Sequence, residues 1–114
     1  MHETMVAVNL LAAISDEAAN RNAKPIGAKI SCGKLYAIND EALCFAFKAI
    51  AKGTACENLK LEIEHKPIQG RCRNCNQRFD VELSQPRCPK CNGEDFELLP
   101  DAPLLLEEIE FQSE

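Results

Sequence analysis

Between Thr4 and Arg21, apolar Ala7, Leu10, Leu11, Ile14 and Ala18 recur at helical spacing, with Asn9, Asp16, Glu17 and Asn20 on the opposite side. The chain therefore opens on an amphipathic helix. Asn22 to Gly27, which contains Pro25, reads as a loop. Ala28, Ile30 and Cys32 then alternate with Lys29 and Ser31, the period of a strand running towards Tyr36. Asn39 is a capping residue, and Asp40 and Glu41 place negative charge in the first turn of a second helix, where the helix dipole favours it. Leu43, Ala46, Phe47 and Ile50 form the inward face of that helix, which ends near Gly53. Leu59 to His65 alternates cleanly, with Leu59, Leu61 and Ile63 on one face and Lys60, Glu62 and Glu64 on the other. One side of the resulting sheet is buried and the other is wet.

Helix, strand, helix, strand is the order of a parallel pair joined by a right-handed crossover, with both helices on one face of the sheet. Leu104 to Phe111 is β-compatible and too apolar to hang free in water. Its most economical place is antiparallel beside Leu59 to His65.

The stretch between those two strands carries Cys72-Arg-Asn-Cys75 and Cys88-Pro-Lys-Cys91. Paired Cys-x-x-Cys knuckles at this separation point to one tetrahedral four-thiolate site, because each knuckle turns both of its sulfurs the same way. With no coordination position left open, a zinc ion held there is structural. Phe79, Val81 and Leu83 alternate with polar neighbours as the buried side of a short strand in the ribbon. A disulfide framework would need an oxidising compartment. A rubredoxin-like iron site uses similar knuckles, and visible absorbance separates it from colourless zinc thiolate. The fold class that follows is α+β: two helices packed on a small three-stranded mixed sheet, with an inserted zinc-ribbon subdomain. Residues 1–67 together with 101–114 form the first domain, and residues 68–100 form the ribbon.

Composition narrows the functions open to such a molecule. The whole chain has 114 residues and 12.6 kDa, and the ribbon within it is too small to sustain a core of its own, so the metal has to hold it. A net charge of −5 argues against a polyanionic partner such as nucleic acid. Arg71, Arg73, Arg78, Arg87 and Lys90 leave two local readings open, a basic face for an acidic partner or a solvated surface. No apolar run is long enough to span a membrane, and the Met5 to Ile14 stretch lacks the basic start of a signal peptide. The expectation is a cytoplasmic protein with reduced cysteines, in which Cys32, Cys44 and Cys56 are small core hydrophobes. No nucleophile and base pair is readable, so the chain is not expected to be an enzyme.

Histidine at position 2 has chemistry of its own. The terminal amine, the backbone nitrogen of His2 and its imidazole can close chelate rings around one ion, and the Glu3 carboxylate can add a further donor. Nitrogen-rich planar or tetragonal sites suit Ni(II) and Cu(II) better than zinc. A helix that starts at once holds these residues in a defined place. His65, at the end of a strand, reads as a surface residue.

Met1-His2-Glu3, the Leu10-Leu11 helix, the capped helix around Leu43-Cys-Phe-Ala-Phe47, the Leu59 to Ile63 strand and Cys72, Cys75, Cys88 and Cys91 together resemble the HypA/HybF nickel metallochaperones of [NiFe]-hydrogenase maturation. The resemblance covers essentially the whole chain. It implies a metallochaperone in which His2 is the essential ligand for a transferable Ni(II), with Glu3 beside it, and in which a separate Zn(II) shapes the ribbon. It further implies that an acid at the head of the second helix, here Asp40, approaches the nickel; helix-dipole stabilisation is the other reading of that residue. The partners it implies are the maturation GTPase HypB, the hydrogenase large-subunit precursor and, in some organisms, urease maturation proteins. Some relatives carry histidines beside the zinc knuckles, where this chain has Asn76 and Asn92. A zinc-ribbon adaptor for a protein or nucleic acid, without a second metal, is the alternative. A monomer and a dimer that swaps its last strand are both compatible with the sequence.

Overall fold

A computed structural model describes residues 2–113. Helix α1 (Glu3–Arg21) buries Val6, Ala7, Leu10, Ile14 and Ala18. It stops at Asn22, whose left-handed backbone returns its N–H to the carbonyls of Ala18 and Ala19. Asparagine accepts that conformation more readily than most residues. Strand β1 (Pro25–Gly33) begins earlier than the alternation from Ala28 implied, so Lys24 rather than Gly27 ends the loop. Proline at the first residue of a strand disturbs the ladder least.

A single 3-10 turn (Lys34–Tyr36) leads to Asn39, whose side-chain carbonyl accepts the Ala42 amide at 2.9 Å and starts helix α2 (Asp40–Ala51). Leu43, Phe47 and Ala51 are its buried face, with Ala46 and Ile50 half-buried beside them. Strand β2 (Lys60–Lys66) follows and pairs parallel with β1, Ala28 opposite Leu61, Ile30 opposite Ile63 and Cys32 opposite His65.

The last strand, β6 (Leu105–Phe111), lies antiparallel to β1 and not beside β2 as its place in the sequence suggested. The strand order is β2-β1-β6. β1 is the segment that can occupy the centre: its small residues Gly27, Ala28, Ser31 and Gly33 are all buried, whereas β2 carries a charged residue at every second position and suits an edge. Register shifts between Pro25 and Gly27 and again between Lys29 and Ile30, where Glu107 is the extra residue of a β-bulge. The Glu107 carboxylate accepts the Ser31 hydroxyl at 2.6 Å. Both helices and the inner face of this mixed sheet share one core.

Between β2 and β6 stands a second three-stranded sheet, β3 (Gln69–Cys72), β4 (Arg78–Asp80) and β5 (Phe96–Leu98), in the order β4-β3-β5. Ile68, Phe79 and Val81 pack with Cys72 and Cys88 in a small separate core, and Phe96 meets Phe79 edge to face at 5.3 Å. Leu83 does not extend the buried row. The chain turns at Glu82, where the Gln85 amide bonds back to its carbonyl, and Leu83 faces solvent.

Candidate functional site

Four sulfurs converge between the knuckles of the ribbon. Cys72, Cys75, Cys88 and Cys91 bring their Sγ atoms within 4.8 Å of one another, with Cys72 to Cys91 at 3.5 Å and Cys75 to Cys88 at 3.6 Å. Sulfurs arranged tetrahedrally at about 2.3 Å from a zinc ion stand about 3.8 Å apart. The thiols are therefore gathered close to the spacing such an ion would impose, and these four residues fit it.

The two knuckles are built alike. The Cys72 amide bonds the Gln77 carbonyl and the Asn76 amide bonds the Cys72 carbonyl; the Cys88 amide bonds the Gly93 carbonyl and the Asn92 amide bonds the Cys88 carbonyl. Asn76 and Asn92 both adopt positive φ, 61° and 62°. These are the positions where some relatives were expected to carry histidine, and here asparagine serves the turn itself.

Without metal the four thiols titrate unequally. Amides at Cys75 and Asn74, with help from the neighbouring thiols, bring Cys72 down to about 7. The Gly93 amide pulls Cys91 down, but the crowd of sulfur around it and desolvation prevail and push it up to about 12. Binding a cation to four thiolates therefore has to expel protons, and affinity falls as the solution is acidified.

The ribbon's cations are largely spoken for. Arg73 pairs with Asp95 at 2.8 Å, Arg87 pairs with Glu94 at 2.9 Å, and Arg78 donates to the Gln69 side chain at 3.3 Å. Of the two readings of these basic residues, the solvated surface is the one this pairing supports.

The other cluster lies where α1 and α2 begin. His2 is the residue before α1; it is exposed, and its side chain makes no capping bond, so the imidazole is not consumed by the helix end. The Glu3 carboxylate accepts the backbone amide of Asn39 at 3.1 Å, and that bond is the main reason its pKa is lowered. Asp40 follows Asn39 directly. The structure thus brings the first turn of α1 to the head of α2 and places Glu3 and Asp40 at one corner. The terminal amine belongs to Met1, which lies outside the described residues.

The sequence reads His65 as a surface residue at the end of a strand; the structure leaves it there, partly exposed, and adds two partners. Its Nε2 lies 2.6 Å from Asp40 Oδ1 and its Nδ1 lies 4.0 Å from Cys32 Sγ. The signal was present in the alternation of β2, since His65 continues the inward row of Leu61 and Ile63. Beneath it, burial pushes the Cys32 thiol up, with the carboxylates of Asp101 and Asp40 adding to the effect. Asp101 stands against Gly33, where a Cβ would overlap its carboxylate. Cys32 and Cys56 are fully buried as expected. Cys44 is not: it sits one step round α2 from Leu43 and is exposed.

A small α+β body carrying a separate pair of knuckles with four gathered cysteines defines a protein with a candidate metal-binding site. The family model described as "Hydrogenase/urease nickel incorporation, metallochaperone, hypA" matches residues 1–111. The chain is 35% identical over 99 residues to Hydrogenase maturation factor HypA of Geotalea daltonii, covering 87% of this chain and 88% of that one. It is 34% identical over 113 residues to the factor of the same name from Desulfitobacterium hafniense, covering 98% and 99%. The solved Ni metallochaperone HypA from Helicobacter pylori shares the fold with a TM-score of 0.63 at 21% identity, each chain fully covered. A second solved HypA protein superimposes with a TM-score of 0.70 at 22% identity, over 100% of this chain and 98% of that one. The chain belongs to the HypA family, a family of metallochaperones for hydrogenase maturation and not of enzymes. Among the described residues, no helix is long and apolar enough to cross a membrane.

Proposed function

We propose that this protein carries Ni(II) at its amino-terminal corner and delivers it for [NiFe]-hydrogenase maturation, with zinc as the permanent occupant of the four-cysteine knuckles. His2 is the principal nickel ligand, Glu3 lies beside it and Asp40 approaches from α2. Cys72, Cys75, Cys88 and Cys91 hold the zinc. The observation that carries this reading is the bond from the Asn39 amide to the Glu3 carboxylate, which fixes the start of α1 against the start of α2 while His2 stays exposed. A delivery site needs both properties: enough order to bind, and enough access for a recipient to take the ion by ligand exchange.

Residues 1–67 with 101–114 act as the nickel-binding domain and residues 68–100 as the ribbon, the two separate hydrophobic cores being the support for that division. Four thiolates suit zinc over harder ions, and none of them is left to catalyse anything at the metal. The recipient side comprises the maturation GTPase HypB and the hydrogenase large-subunit precursor, and urease maturation proteins where that pathway exists, all in the cytoplasm.

The test is metal analysis of untagged protein before and after nickel loading, alongside His2→Ala. One zinc per chain in both proteins, and one nickel per chain in the wild type alone, is the expected result. Undiminished nickel affinity of His2→Ala in a calorimetric titration would overturn the amino-terminal site, and a visible ferric-thiolate band would overturn zinc.

A further inference from the structure

The parallel register sets His65 opposite Cys32 at the end of the β1–β2 pair, on the face turned towards the helices. There the ring finds a different partner at each nitrogen: Asp40 Oδ1 at 2.6 Å from Nε2, and Cys32 Sγ at 4.0 Å from Nδ1. The His65 side chain is 30% exposed and that of Asp40 52%, so an ion from solvent can reach the atoms between them. Glu3 is tied to Asn39, the residue immediately before Asp40. Two consecutive residues at the head of α2 thus connect this imidazole, through Asp40, and the first turn of α1, through Asn39.

We infer that His65 is a direct ligand of the transferable cation, joining Asp40 and the His2-Glu3 segment on one divalent ion. The Asp40–His65 hydrogen bond is then the unloaded form of the site. This rests on the nickel reading given above and deepens it. Two donors bound cis to one ion at about 2.0–2.1 Å stand about 2.9 Å apart. The observed 2.6 Å separation needs to open by only a few tenths of an ångström to admit the ion.

The proton balance is simple for a neutral ring. Nε2 gives up its hydrogen as Nδ1 gains one, so the ring changes tautomer with no net uptake or release. Asp40 exchanges an N–H donor for the cation, and the new Nδ1–H points at the Cys32 sulfur. Histidines that bind metals almost always donate their other ring N–H to a neighbouring acceptor. A second imidazole also moves the donor set towards nitrogen, the preference of Ni(II) and Cu(II).

The chain has two histidines, which makes the proposal directly readable. X-ray absorption at the nickel edge of the untagged, loaded protein should count two imidazoles. His65→Gln, which keeps a side-chain N–H for Asp40, should leave one imidazole and weaken nickel about tenfold or more by calorimetric titration. A wild-type count of one imidazole overturns the proposal. So does wild-type affinity in His65→Gln, which would reduce His65 to a residue that only orients Asp40. If His2→Ala abolishes binding while His65→Gln changes nothing, this inference fails and the amino-terminal site survives; if neither variant changes binding, the amino-terminal reading fails with it. Circular dichroism of the metal-free variants, expected to match the wild type, separates lost ligation from lost fold.

Discussion

The Glu3 carboxylate accepts the backbone amide of Asn39 at 3.1 Å across 36 residues of sequence, so the first helix begins where the second begins. Because the donor is the main-chain N–H, the bond survives any substitution at Asn39 except proline. It also lets this structural role of Glu3 be separated from the one proposed for it at nickel. Glu3→Gln keeps an acceptor for that amide and loses the charge, so it should retain the fold and bind nickel more weakly. Glu3→Ala loses both, and should further show faster hydrogen exchange at the Asn39 amide. Calorimetric titration and amide exchange read the two effects separately.

In the proposed nickel site, the terminal amine can enter the chelate only if nothing precedes it. A short uncleaved extension before Met1 should weaken nickel binding about tenfold or more, the scale on which disturbing a metal site changes affinity. Removing the extension with a protease should restore it with no residue altered. Equal titrations before and after cleavage would move the site away from the terminus.

Asn39 tests the helix start apart from the metal. Its side chain accepts the Ala42 amide, and Asn39→Ala should lower stability by about 1 kcal/mol, the usual cost of losing such a cap. Denaturant unfolding would show a lower midpoint at unchanged slope. Zinc content should not move, because the ribbon has its own core.

Acid should loosen the sheet at a defined place. The Ser31 hydroxyl holds the Glu107 carboxyl below its ordinary pKa, with Lys66 adding to the shift. A carboxylate lowered in the folded state stabilises the fold above its ordinary pKa, and that contribution disappears as pH falls through the lowered value. Ser31→Ala should therefore be less stable than wild type near neutrality, with the difference shrinking in strong acid. Urea midpoints at neutral pH and near pH 3 measure it.

With zinc in the four-cysteine site, as proposed, chelating it should unfold the ribbon and spare the rest. The ribbon core has Ile68, Phe79, Val81 and Phe96 besides its cysteines, too little apolar surface to stand without the ion. Nuclear magnetic resonance after metal removal should show the β3-β4-β5 resonances collapse into the random-coil range, while those of α1, α2 and the β2-β1-β6 sheet keep their dispersion.

The helices, the parallel pair and the knuckles were legible in the sequence because each rests on neighbours a few residues apart. Asn39 caps a helix whose amides lie within one turn, Leu59 to Ile63 alternates along a single strand, and Cys72 and Cys75 share one tight turn. The family resemblance was legible for the same reason, being carried by short motifs in order. The reach of β6 was not: antiparallel pairing with β1 or with β2 satisfies the pattern of Leu104 to Phe111 equally well.

What the sequence determined by itself, then, is the set of local parts and the chemistry of four thiols and an amino-terminal histidine. Only the tertiary structure decided which parts meet. Burial of β1 forced it to the centre of its sheet, and that choice sent Glu107 to Ser31. The crossover through α2 lifted Asp40 onto His65, 25 residues away, giving a strand-end histidine a partner at the head of the second helix. Pairings of that kind depend on how helices lie across a sheet, a property of packing that no short window of residues contains.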